Sequence, residues 1–140
     1  MLDKERILNR ISILEKHLKE LQEIIPKSYQ NYQEIKTKRS CERLLQISIE
    51  CVMEICSLMV AGLKLGLPGE EDDLIQKLIN SGIFSDSLGA VLKKMKGFRN
   101  RLVHEYEKTD DRLVYEILKR NYNDFEKFKN SIKKALSSRK

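Results

Sequence analysis

Turn-forming residues are scarce in this chain: two prolines and six glycines stand among 140 residues. An all-β protein would need many more turns, so that class is disfavoured. Long apolar runs are lacking too. The longest, Leu58 to Leu63, falls far short of the roughly 20 residues that a membrane span requires. Lys4, Glu5 and Arg6 interrupt the N-terminus before any apolar run, so no secretory signal is expected. The three cysteines, Cys41, Cys51 and Cys56, are an odd set with no CxxC pair. That argues against a disulfide framework, and their helical spacing in an apolar stretch suits free thiols serving as small buried hydrophobes. The two histidines, His17 and His104, lie far apart without ligand spacing, so no metal site is expected.

What is present is a hydrophobic fraction of 41%, enough for a core, and 27 Lys+Arg against 21 Asp+Glu, a formal charge of +6 with a pI near 9.2. These values predict one domain over residues 1–140, cytoplasmic, basic and mostly helical. The basic excess is compatible with a polyanionic partner and gives no reason to expect a membrane.

Hydrophobic spacing divides the chain into helices. Ile7, Ile11, Leu14, Leu18, Leu21 and Ile25 step by four and three, the seam of a long amphipathic helix that Pro26 stops. A second seam runs Cys41, Leu45, Ser48, Val52, Ile55, Met59 and Gly62, whose small members would admit a close neighbour. Its helix should begin between Ser28 and Ser40 and end at Leu65-Gly66-Leu67-Pro68-Gly69. Leu74, Ile75, Leu78 and Ile79 suggest a short third helix stopped by Gly82. Ser85 or Asp86 can cap a fourth, carrying Leu88, Leu92, Met95, Leu102 and Tyr106. Asp110 or Asp111 can open a fifth, with Val114, Ile117, Asn121, Phe125, Phe128 and Ile132. The expected architecture is an all-α, up-and-down bundle of about five helices, two of them long.

Residues 97–106 depart from plain bundle patterning. On the fourth helix, positions 88, 92, 95, 99, 102 and 106 form one stripe that is apolar or aromatic except at Arg99. A guanidinium there is costly to bury alone, so Arg99 should face a carboxylate such as Glu54, an open cleft, or a subunit interface holding an anion. Asn100 and His104 are four apart and share a face, with Lys93 and Lys96 nearby. An amide can fix an imidazole tautomer, and histidine is the usual acid/base group near neutral pH. Lys93, Lys94, Lys96, Arg99 and Arg101 make the surroundings as basic as a phosphate site requires, though a solvated lysine-rich face has the same composition. At about 100° per residue, Arg99 and His104 leave an ideal helix roughly 140° apart. They converge if the arginine bends around, if the helix is distorted near Gly97, or if a second subunit contributes.

Arg99-Asn100-Arg101-Leu102-Val103-His104 resembles the R-X4-H motif of HEPN ribonucleases, including the polar residue after the arginine. The string through Tyr106 resembles the longer R-X4-H-X-Y motif of the HepT toxins. Cys41-Glu42-Arg43-Leu44-Leu45-Gln46-Ile47 is similar to that family's second-helix signature, as is Met95-Lys96-Gly97-Phe98 to the approach to its motif. Asp110 and Val114-Tyr115-Glu116-Ile117 agree as well, so the likeness covers about residues 5 to 132.

The resemblance implies the toxin of a type II toxin–antitoxin pair, a homodimeric, metal-independent endoribonuclease needing no cofactor. His104 would shuttle protons, Arg99 would stabilise charge on the phosphorane, and Asn100 would orient or contact the phosphate. Lys93, Lys96 and Arg101 would bind the RNA backbone. The implied products carry 2′,3′-cyclic phosphate and 5′-hydroxyl ends. The implied antitoxin is a minimal nucleotidyltransferase that adenylylates Tyr106, setting a bulky anion beside Arg99 and His104. Tyr106 could equally anchor its helix on the core, and Tyr115 and Tyr122 fit core or rim positions. Two other readings predict different behaviour: a non-catalytic helical partner or nucleotide-binding subunit of a nucleotidyltransferase, and a purely structural dimer in which Arg99 is an ion-pair residue.

Overall fold

The computed structural model describes residues 2–67, 69–104 and 110–138, and all regular structure among them is helical. Helix α1 spans Lys4–Ile24 and is capped by Asp3, whose carboxylate accepts from the Arg6 amide at 3.1 Å. Its buried residues are Ile7, Ile11, Leu14, Leu18 and Leu21, the seam expected from the spacing. A single turn, α2 (Tyr29–Tyr32), follows Pro26 and is capped by Ser28. Tyr32 is fully buried there, its ring 5.1 Å from that of Tyr115, and the Tyr115 hydroxyl donates to the Pro26 carbonyl at 2.8 Å.

Helix α3, Ile35–Gly62, is the axis of the bundle. Cys41, Leu45, Ser48, Val52, Ile55 and Met59 are buried as the seam predicts, and Ile49, Cys51, Met53, Cys56 and Val60 are buried on further faces. The extra burial arises because α1, α4 and α5 all pack on α3. Among the described helices α3 alone is long and apolar enough to cross a bilayer, which no uninterrupted apolar run had indicated. In this fold its neighbouring helices occupy that apolar surface. It ends in a left-handed turn, with φ of 53° at Lys64 and 118° at Gly66 and the Leu65 amide donating to the Val60 carbonyl.

Helices α4 (Glu71–Asn80) and α5 (Asp86–His104) form an antiparallel pair across α3, joined through Gly82 at φ 83°. Ser85 caps α5, its hydroxyl accepting from the Leu88 amide. The expected fifth helix is two: α6 (Asp111–Arg120), capped by Asp110, and α7 (Tyr122–Ser138). Asn121 ends α6 through its amide bond to Ile117 and starts α7 by accepting from Asp124 and Phe125. The four-three spacing is continuous across this break, so periodicity could not reveal it. Asparagine's preference for helix ends is the residue-level cause. The break lets Tyr115 reach α2 while Phe128 packs on Phe84, ring centroids 5.7 Å apart.

Candidate nucleic-acid site on α5

Leu88, Leu92, Met95 and Leu102 are buried, so the apolar stripe of α5 faces the core as expected. Arg99 is its one cationic member and points into the groove between α3 and α4 with its side chain 13% exposed. One terminal nitrogen bonds Glu71 of α4, and the other lies 3.8 Å from Glu50 of α3. Nε is buried without a hydrogen-bond partner among the described residues. Arg99 therefore does face carboxylates, but not Glu54, which pairs with Arg10 of α1 at 2.9 Å.

Two lysines of the expected phosphate row also turn towards α4. Lys96 pairs with Asp72 at 3.0 Å, and Lys93 donates to the Gln76 side-chain oxygen at 2.8 Å. Glu71, Asp72 and Gln76 were not among the site candidates. The acidic run Glu70-Glu71-Asp72-Asp73 is plain in the sequence. Its destination depends on how α4 lies across α5, which no local pattern reports. What fixes that placement is Gly89: a Cβ there would fall 2.2 Å from Ile79 Cδ1, so the glycine lets the two helices close together.

Asn100 is half-buried, while Arg101 and His104 are exposed at the C-terminal end of α5. Basic residues in a last turn are favoured by the helix dipole. Tyr106 lies outside the described residues. The structure brings Lys93, Lys96 and Arg99 together along α4, and it does not bring Arg99 to His104. Helix α5 runs uninterrupted from Asp86 to His104, so no distortion at Gly97 turns the two towards each other. Nor does the arginine bend around, because its head is held on α3 and α4. The remaining route to convergence is a second copy of the chain.

The three cysteines are free and buried, and burial pushes Cys41 and Cys51 up to about 11. They fill α3's packing surface, and burial disfavours the thiolate that nucleophilic attack uses.

Known proteins share this arrangement of helices. The mRNA nuclease HepT of Shewanella oneidensis is 28% identical over 127 residues, covering 91% of this chain and 96% of that one. A re-refined structure of a tri-AMPylated Shewanella oneidensis HEPN toxin in complex with MNT antitoxin superposes with a TM-score of 0.86 at 28% identity, over 95% of this chain and 98% of that chain. A toxin–antitoxin complex with AMP-PNP gives a TM-score of 0.84 at 27% identity, over 91% and 96% of the respective chains. The family model described as ribonuclease HepT-like matches residues 14–132, from mid-α1 to near the end of α7 and including the whole of α5. This all-helical chain, with its arginine and histidine on one continuous helix, belongs to the HepT-like ribonuclease family.

Proposed function

We propose that the protein is the toxin of a toxin–antitoxin pair, a cytoplasmic endoribonuclease that acts on RNA as a homodimer. The observation that carries this reading is the placement of the motif in a HepT-like chain. His104 is exposed at the end of α5, while Arg99 is fixed at the rim of the α3–α4 groove on the same helix. Two subunits with their α5 ends facing would set two imidazoles and two guanidinium groups around one cleft. One His104 takes the proton of the RNA 2′-hydroxyl as its oxygen attacks phosphorus. The bond to the 5′-oxygen breaks, and the imidazolium so formed passes that proton to the leaving oxygen. Arg99 offsets charge on the phosphorane and Asn100 orients the phosphate. The products are a 2′,3′-cyclic phosphate and a 5′-hydroxyl, with no metal or cofactor in the scheme. Lys93, Lys96 and Arg101 lie along the path of the RNA backbone.

One matching structure is a tri-AMPylated HEPN toxin with an MNT antitoxin, and another is a toxin–antitoxin complex with AMP-PNP. By the same reading, a minimal nucleotidyltransferase antitoxin neutralises this chain by adenylylating Tyr106, placing an anion where RNA would bind. The ion pairs of Arg99 with Glu71 and Glu50 favour a second reading, in which Arg99 is structural and the chain is a non-catalytic partner of the nucleotidyltransferase. Induced expression without antitoxin separates the two. Growth arrest with fragmented RNA is expected for wild type and for Tyr106→Phe, and neither effect for His104→Ala. If all three variants grow alike with intact RNA, the nuclease reading is lost and the partner reading replaces it.

A further inference from the structure

Each cation on the α4-facing side of the row already has an oxygen partner. Arg99 bonds Glu71, Lys96 pairs with Asp72, and Lys93 bonds Gln76. The helix carrying these partners is anchored, with Leu74, Ile75 and Leu78 buried and the close contact at Gly89 beneath it. Its acidic side chains are far more open than the cations they cover. Glu71 and Asp72 are 34% and 50% exposed, against 13% for Arg99 and 19% for Lys96. Rotation of these two carboxylates would therefore uncover Lys96 and one side of the Arg99 guanidinium without moving α4, leaving Glu50 beside its other terminal nitrogen. Asp73, one residue on, is engaged with Lys77 of its own helix and takes no part.

We propose that Glu71 and Asp72 hold the places of two successive phosphates of a polynucleotide, and that RNA binds by displacing them. The proposal rests on the RNA-cleavage reading and adds affinity- and selectivity-determining residues to it. Arg99 and Lys96 stand three apart, with Cβ atoms about 5–6 Å apart on one helix face. Neighbouring phosphates of one strand can engage both, the second at the high effective concentration set by the first. A mononucleotide exchanges with one carboxylate and leaves the other pair closed. The Lys96–Asp72 pair, its carboxylate half open to water, gives way most readily, and the more sheltered Arg99–Glu71 pair is exchanged for an equally charge-assisted bond to phosphate.

The test is anisotropy of a labelled single-stranded RNA oligomer titrated with the His104→Ala protein, which should leave the RNA uncut. In that background Glu71→Gln with Asp72→Asn should tighten RNA binding by roughly three- to tenfold at low salt. It should also steepen the salt dependence, because freed cations then exchange counterions and not carboxylates. The gain should be smaller for adenosine 5′-monophosphate, and Asp73→Asn, the same single change of charge as Asp72→Asn alone, should give none. Should the double variant fail to fold by circular dichroism, Asp72→Asn alone should show the same gain at smaller size. If Arg99→Ala weakens RNA binding but the carboxylate variants bind no tighter than their parent, or Asp73→Asn matches them, the RNA reading stands and this proposal falls. If no variant binds RNA even at low salt, both fall together.

Discussion

The thiols of α3 link burial to the pH range over which the chain holds its fold. Burial, with Glu42 beside Cys41 and Glu54 beside Cys51, lifts both groups from an ordinary 9.0 to about 11. Below pH 9 these thiols are protonated in folded and unfolded chains alike and give no slope. Between 9 and 11 the unfolded chain loses protons that the folded chain retains, so stability falls as pH rises. Cys51 donates to the Arg10 carbonyl at 3.2 Å, a bond that a serine hydroxyl can keep without titrating in this range. Denaturant titrations at pH 8 and pH 11 should show wild type losing about 1–3 kcal/mol more than Cys51→Ser across that interval. Parallel losses would mean that the Cys51 site does not resist ionisation. At the same scale, the anomaly of Arg99 was legible from its place on an apolar stripe, because stripe membership is a local property. Its partners were not. Glu50, Glu54 and Glu71 are all acidic neighbours in principle, and the packing of α4 and α3 selects Glu71 and Glu50.

Helix α5 contains glycines whose replacement should act in opposite directions. At Gly89 an added methyl meets Ile79 Cδ1 at 2.2 Å and Cγ1 at 2.6 Å. Gly89→Ala should therefore cost about 1–2 kcal/mol even after the better helix propensity of alanine is counted, as overpacking and propensity oppose each other. Ile79→Ala made together with it should relieve the clash, giving a double-mutant cycle with a clear coupling term. At Gly97 no described atom lies within 4 Å of the added methyl, so Gly97→Ala should stabilise the isolated chain by about 0.5–1 kcal/mol. Thermal melts of the two single variants should move in opposite senses. A fall in melting temperature for Gly97→Ala would indicate that another surface covers that position. Helix existence was readable from the four-three spacing for every long element. The one-turn α2 has too few residues to show a period, and the break at Asn121 leaves the period intact, so neither is legible in the spacing.

For the whole molecule, the placement of the motif bears on subunit composition. Arg99 turns into the α3–α4 groove, and His104 is exposed at the end of α5 roughly 140° around the helix. A single copy keeps these groups apart, and the proposed cleft needs the arginine of one subunit near the histidine of the other. That arrangement predicts complementation between two inactive variants. Arg99→Ala and His104→Ala homodimers should each fail to cleave RNA. After unfolding and refolding in an equimolar mixture, half of the dimers should be mixed, and each mixed dimer has one opposed pair with both groups intact. If one opposed pair suffices, activity should return to about a quarter of the wild-type level. Mixing without refolding should restore it only as fast as subunits exchange. If the refolded mixture stays inactive although mixed dimers are demonstrated by mass, a site built from single opposed Arg99–His104 pairs is excluded. Cleavage would then need both copies of each group at once, because the fixed arginine and the exposed histidine of one continuous helix cannot meet within a single chain.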